Sequence, residues 1–450
     1  MRIEQNVSYF YIAFFYTAYF WGTRLICNRL LFWFVGLMGI FAVAGCTTGK
    51  NANDASLRLI NASRAYSSLD LYAGSTKEIS AIASEAVSDY VGLSAGTYTT
   101  VLTGAGSTTA QVSLSTTLAS ANSYTLLAYG ESGSLHSVLL SDEETTPDSG
   151  YSKLRLFNTA TNAGTLDVYL TAAGSTSIAD SATLASGMGV GSQSGYVQEG
   201  KGSFDIWVTG YADKTDVRLH IKSVALADGQ VASLILTSSS GGVLVNGLWL
   251  VQKGSLTTYP NTDARVRLVA GVTDNKSVAA SIGSTVLSSG VVSPAVGAYA
   301  LVSAETYTPS ISVDGNAVNT SLTLSAGADY SLLVYGKSAA AQVQLLTDDN
   351  NFPVDTTKAK FRLVHGDYDQ SGSQLSMSAD FSYLVTNVTY GSASSFANLT
   401  AGTVGDLSVV STNGTTVFEK NPTAGISVAA RSIYTVWMLG NGTGVLLKDR

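Results

Sequence analysis

Cysteine, proline, histidine and charge are all scarce in this chain, and each scarcity rules something out. The two cysteines, Cys27 and Cys46, stand near the N-terminus, and no thiol follows. The remainder can hold neither a structural disulfide, a cysteine-ligated metal nor a cysteine nucleophile. It must fold on apolar burial alone, which domains of about a hundred residues can do. Charged residues are 13% of the sequence, against about 25% in an ordinary domain, which argues against helical bundles rich in Glu and Lys. No basic run exists. Removing residues 1–45 takes away Arg2, Arg24, Arg29 and Glu4 and leaves 22 basic and 31 acidic side chains, a net of −9. Nucleic acid, which wants a basic face, is not an expected partner. With 6 prolines and 44 glycines, the turns are made mostly with glycine. The three histidines, His136, His220 and His365, lie far apart in sequence. No serine elbow comes with a matching histidine and acid, and no glycine loop comes with a phosphate-binding lysine. The expectation is a non-enzyme with no catalytic residues, no metal and no cofactor.

The N-terminal stretch has its own character. Residues 30–45 are apolar, follow Arg24 and Arg29, and end in small residues, the pattern of a secretory signal. Val43-Ala44-Gly45-Cys46 resembles the bacterial lipobox, in which the cysteine becomes the first mature residue and carries acyl chains. A thiol is needed for the thioether, and small residues give the peptidase access. Two or three acyl chains anchor stably where one does not. Cys46 is therefore the expected lipid attachment site, Val43, Ala44 and Gly45 the recognition residues, and the membrane a partner through those chains. An ordinary cleavage site or an uncleaved anchor is the plainer alternative. Thr47, where Asp would favour inner-membrane retention, points to the outer membrane. Residues 8–23 are a second apolar stretch, read either as one arm of a two-span hairpin or as the product of a start assigned upstream of a signal beginning near Arg24. Residues 47–55 are small and polar, a tether.

Beyond the tether the chain repeats. Leu57-Arg58-Leu59-Ile60-Asn61 returns as Leu154-Arg155-Leu156-Phe157-Asn158, Val266-Arg267-Leu268-Val269 and Phe361-Arg362-Leu363-Val364-His365. Each copy opens about a hundred residues, the size of one β-sandwich. Length alone suggests about three domains, and the repeat raises that to four, at 56–142, 152–252, 264–348 and 359–450. Within them, short alternating runs broken by Gly and Ser read as antiparallel strands. Residues 79–87, rich in Ala and Glu, are the one stretch with a helical alternative. After the last run, Val445-Leu446-Leu447, no C-terminal sorting tail is expected. The first and third connectors, with Pro147 and Pro353, resemble each other, and the second does not, which suggests that a two-module unit was duplicated.

Three motifs carry a family resemblance. They are the apolar-Arg-apolar-apolar opening, Asp70-Leu71-Tyr72, and Tyr90 leading to Ala95-Gly96-Thr97-Tyr98. Module two keeps them as Asp167-Val168-Tyr169 and Tyr196 to Phe204, with Gly202 at the place of Gly96. Modules three and four keep no clear Asp-apolar-Tyr, and Glu305 stands where the glycine would be, which predicts a different turn there. These residues resemble the bacterial domain of unknown function 4397 family. The resemblance implies secreted or surface immunoglobulin-like sandwiches and supplies no activity.

Two further groups of residues raise alternatives. Asp142, Glu143, Glu144 and Asp148, and again Asp348, Asp349 and Asp355, crowd the connectors. They form either a calcium site stiffening the array or a solvated acidic linker. Trp207, Trp249 and Trp437 are either sugar-stacking surface residues or, on alternating strands, core. Tyr124, Tyr330 and Tyr434 head the same strand in three modules and fit a hydroxyl-to-turn hydrogen bond. The expected function is a lipid-anchored envelope protein, structural or adhesive, binding an envelope protein or polysaccharide. The alternative is a carbohydrate-binding or substrate-capturing lipoprotein.

Overall fold

A computed structural model describes residues 53–420 and 425–450, which belong to one compact unit. Cys46, Val43, Ala44 and Gly45 lie outside the described residues. The described chain is all-β, with a single 3-10 turn at Tyr368–Gln370. None of its helices is long and apolar enough to cross a membrane.

The opening strand of the first module, Ala55–Asn61, lies inside its sheet. Ala86–Val87 and Val91–Leu93 pair with one side, Ser123–Glu131 with the other, and Ser134–Ser141 forms the far edge. The opposing sheet runs Thr76–Ala83, Ser68–Ala73, Gly96–Gly104, Ala110–Leu118. Leu57, Leu59, Leu69, Leu71, Leu102 and Leu126 meet between the two. The same plan recurs, and separate apolar cores form around Leu154, Leu156 and Ile206, around Val266, Leu268 and Val278, and around Phe361, Leu363 and Met377. Residues 79–87 hold no helix: Thr76–Ala83 and Ala86–Val87 are paired strands joined by a turn at Ser84-Glu85.

One pairing departs from an antiparallel sandwich. Ala55–Asn61 runs parallel to Ser123–Glu131, and the other opening strands do the same with their penultimate strands. A parallel pair needs a long crossover, which the rest of the module supplies.

The aspartate-bearing motif has a local explanation. Opposite Leu69–Leu71 the neighbouring strand carries a bulge, with Ala81 at φ +53. The Asp70 carboxylate accepts the N–H of Ala81 (2.7 Å) and of Gly106 (3.2 Å) and pairs with Lys77 at 2.6 Å. Asp167 repeats this with the N–H of Gly187 (2.8 Å) and Ala212 (2.9 Å). Bulges leave backbone groups unpaired, and a buried carboxylate satisfies them. In module four Ser376 takes the place of the aspartate and accepts the N–H of Asn387, the bulge residue at φ +59 (3.1 Å). The turn motif is a staple: the Tyr98 hydroxyl donates to the Ser94 carbonyl at 2.7 Å, and Tyr307 to Ser303 at 3.0 Å. Glu305 adopts no left-handed φ, and the strand that runs unbroken from Gly96 to Gly104 is split in module three into Thr306–Tyr307 and Ser310–Val313. Pro309 sits at that break and has no N–H for a ladder.

Both faces of each opening strand are buried. Leu57 and Leu59 enter the module core, while Ile60 meets Leu127, Phe157, Ile235, Leu248 and Leu250 in a second apolar layer between modules one and two. Val269, Leu333, Leu346, Val364, Trp437 and Leu439 form the matching layer between modules three and four. The modules therefore associate as face-to-face pairs.

Candidate functional site

The repeated arginines stand in these paired faces. Arg58, Arg267 and Arg362 are almost fully buried. Each repeat arginine lies over the aromatic residue that precedes the short antiparallel strand at its side: Arg58 over Tyr90 (4.6 Å), Arg155 over Tyr196 (4.7 Å), Arg267 over Tyr299 (4.6 Å) and Arg362 over Phe396 (5.0 Å). Guanidinium on an aromatic face is favourable, and more so when desolvated. The Nε of each donates to the hydroxyl directly opposite in the parallel pair, Thr125 (2.8 Å), Ser233 (3.2 Å), Ser331 (2.8 Å) or Thr435 (3.0 Å). Thr125, Ser331 and Thr435 pass the bond on to Asp142 (2.6 Å), Asp348 (2.6 Å) and Asp449 (2.5 Å).

The outer nitrogens cross to the partner module. Arg267 Nη1 reaches Asp449 at 2.7 Å, and Arg362 Nη2 reaches Asp348 at 2.5 Å, a reciprocal exchange. Arg58 Nη1 donates to the Gly254 carbonyl at 2.7 Å. Burial by itself would raise the Asp348 carboxyl, but Arg362 and Arg267 beside it hold it below the ordinary value. Burial pushes the Tyr299 hydroxyl up, reinforced by the Asp348 charge it donates to at 2.5 Å.

Most of the acidic connector residues are engaged by cations, while Asp148 and Asp355 stay exposed, as in a solvated linker. Asp142 and Asp348 are buried partners of arginine. Glu143 pairs with Lys253 (2.6 Å), Glu144 with Lys153 (2.5 Å) and Asp349 with Lys360 (2.6 Å). Among the described residues, no three His, Cys, Asp or Glu side chains gather as metal ligands would.

Other predicted residues fall into structural places. Trp207, Trp249 and Trp437 are buried. The Tyr124, Tyr330 and Tyr434 hydroxyls accept the N–H of Ala119 (3.0 Å), Ser325 (3.1 Å) and Ala429 (3.0 Å), five residues upstream, as a turn-holding tyrosine should. His220 stacks on Trp207 at 3.4 Å and meets Asp205 at 3.1 Å. His365 is fully buried, its Nε2 3.2 Å from the Ser373 carbonyl, and burial lowers its pKa. His136 remains exposed beside Tyr129, ring centroids 5.4 Å apart.

Two surface features had no counterpart in the sequence reading. The first is a cleft of about 260 Å³ lined by Tyr129, Glu131, His136, Val190, Phe352 and Arg431, among others. Tyr129 extends over Gly191, where an added Cβ would lie 2.8 Å from its hydroxyl. Glu131 accepts from Asn162 Nδ2 at 2.8 Å and from the Thr161 hydroxyl. Asn162 in turn accepts the N–H of Phe352 at 2.8 Å, which fixes the third connector against module two. Arg431 and Arg450 lie over the Phe352 ring at 5.3 and 4.1 Å. Aromatic walls, one guanidinium and one carboxylate suit the cleft to gripping a side chain or small ligand.

The second feature is the hairpin tip Asp380-Phe381. Its two turn residues have φ +47 and +64, where Asn-Gly or Asp-Gly is the usual pair. The equivalent tips in modules one and three are Gly74-Ser75 and Gly283-Ser284, with the left-handed φ on glycine. Phe381 is 89% exposed and Tyr383 64%. The departure from Gly-Ser was the available sequence signal.

Residues 55–169 and 264–372 match the family model described as Domain of unknown function (DUF4397). No curated protein matches. Among solved structures, a family CBM26 module of Eubacterium rectale Amy13K, in complex with maltoheptaose, shares 11% identity over 46% of this chain and 96% of its own, at a TM-score of 0.15. A candidate cell adhesion protein of Bacteroides uniformis shares 12% over 45% and 100%, at 0.19. The Bacillus anthracis TIE protein shares 10% over 86% and 69%, at 0.13. Likenesses this slight decide neither fold nor function. The two family matches start at the first strand of each module pair, and these two stretches carry repeats of the DUF4397 family.

Proposed function

We propose that the protein is a lipid-anchored component of the bacterial outer membrane. Its four immunoglobulin-like sandwiches act as a non-catalytic structural, adhesive or protein-binding scaffold. The observation that carries this reading is the pairing of modules through buried arginine, aromatic and carboxylate groups. It joins what would otherwise be separate beads into a stiff body and commits buried ionisable groups to architecture. Support for the anchor comes from Val43-Ala44-Gly45-Cys46 at the end of an apolar run, and for the outer membrane from Thr47. Capture of a carbohydrate has less support, because Trp207, Trp249 and Trp437 are buried and offer no flat stacking row.

Labelling with a palmitate analogue and membrane fractionation test the anchor. The wild-type protein is expected to carry label in the outer-membrane fraction, and Cys46→Ser to lose it. Label retained by Cys46→Ser would overturn the assignment. In-cell crosslinking followed by mass spectrometry tests the scaffold. A reproducible protein adduct is expected, and binding of envelope polysaccharide with no protein adduct would overturn it.

A further inference from the structure

The Phe381 knob is held rigidly. Asp380 Oδ1 accepts the N–H of Gly405 at 2.8 Å and of Asp406 at 3.1 Å, and the Asp380 N–H donates to the Asp406 carbonyl at 2.9 Å. A large apolar ring on a fixed convex tip calls for a concave partner, and aromatic side chains seated in pockets are the usual anchors of protein contacts. The cleft beside Tyr129 has the complementary character. Its volume of about 260 Å³ lies below the roughly 300–1,000 Å³ of drug-sized ligand sites, and it suits one aromatic side chain. Val190 and Val354, both exposed, add apolar surface, and Arg431 supplies a cation where the ring's neighbour Asp380 brings a carboxylate. The cleft's own carboxylate, Glu131, is already engaged by Thr161 and Asn162.

We propose that Phe381 of one copy of the chain seats in this cleft on a second copy, with Asp380 facing Arg431. The proposal rests on the binding-scaffold reading and names the partner as the chain itself. Knob and cleft are different surfaces of one molecule, so the contact is head-to-tail and can propagate along a row of anchored copies.

The absence of cysteine beyond Cys46 allows a direct test in cells with the full chain. One tagged copy carries Ser382→Cys and a differently tagged copy carries Val190→Cys. The two are expressed together and oxidised, and a copy with neither substitution controls for Cys46. A mixed-tag adduct is expected, with multimers when one chain carries both substitutions. Adding Phe381→Ser should reduce the adduct at least about tenfold, as removal of an interface anchor does. Moving the cysteine from the tip of module four to the matching tip of module three, as Ser284→Cys, should abolish it. An adduct no stronger than this control, or one indifferent to Phe381→Ser, overturns self-association. Crosslinking of the tip thiol only to a foreign protein also overturns it, while leaving the scaffold reading in place. Circular dichroism of the Phe381→Ser protein separates loss of contact from loss of fold.

Discussion

At the scale of single residues, two positions make sharp predictions. Asp167 is a buried carboxylate with no cation on it. Burial alone would raise its pKa, but the N–H groups of Gly187 and Ala212 and the Ser186 hydroxyl hold it below 3.8. Its stabilising contribution is therefore present above pH 3.8 and is lost as the pH falls through the folded value. Asp167→Asn keeps the shape but cannot accept from all of those donors. It should cost about 1–3 kcal/mol, the penalty of an orphaned buried donor. Its thermal midpoint should also fall less steeply with acid than that of the wild type, as circular dichroism melts would show. Phe381 stands at φ +64, where a bulky side chain is strained by roughly 1–3 kcal/mol. Phe381→Gly is expected to raise the melting temperature, an outcome unusual for the loss of a large residue. The sequence displayed Asp70, Asp167, Tyr124, Tyr330 and Tyr434 as recurring letters, and the tyrosine role could be inferred because its partner lies five residues away. The aspartate role could not, because the bulge it satisfies lies on the neighbouring strand, 11 residues on from Asp70 but 20 on from Asp167, and its composition differs between modules.

Among the elements, the decisive one is the opening strand with its arginine. The recurrence of the motif was plain in the sequence, as were the Tyr90 and Tyr196 segments. Their contact with the arginines was not, because the partners stand about thirty to forty residues apart in the chain. Burial of the opening strands on both faces was not read from the sequence, and pairing is what provides it. Arg362 and Asp348 give the cleanest test. Arg362→Met should destabilise the protein by about 3–5 kcal/mol, because it strands a buried carboxylate. Adding Asp348→Asn should cost less than the sum of the single changes, and a denaturant-based double-mutant cycle would measure the coupling. Strict additivity would mean that the reciprocal exchange with Arg267 and Asp449, rather than this pair, holds the faces together.

For the whole molecule, the pairs also meet each other. Module two's loop donates from Gly241 to the Gly327 carbonyl at 2.7 Å, and Arg450 donates to the Gly242 carbonyl at 3.2 Å and the Asn350 carbonyl at 2.8 Å. A Cβ on Gly241 would sit 2.8 Å from the Asp329 nitrogen. Gly241→Val should therefore loosen the two pairs while sparing each pair's core. Limited proteolysis would then cut near residues 252–263, and uncut protein would show that the pairs hold together without this contact. The parallel pairing of the opening strand bears on a different matter, the order in which the chain can fold. Ala55–Asn61 can pair early with Ala86–Val87 and Val91–Leu93 on one side, but its other edge stays open until Ser123–Glu131 arrives, and the apolar outer face of module one is covered only when module two is complete. A chain made or exported from its N-terminus thus carries uncovered β-strand for most of a module's length, and again for most of the next. Sequence-distant pairing of this kind slows folding and leaves intermediates open to aggregation. A holding chaperone along its route would have its greatest effect before the second module emerges.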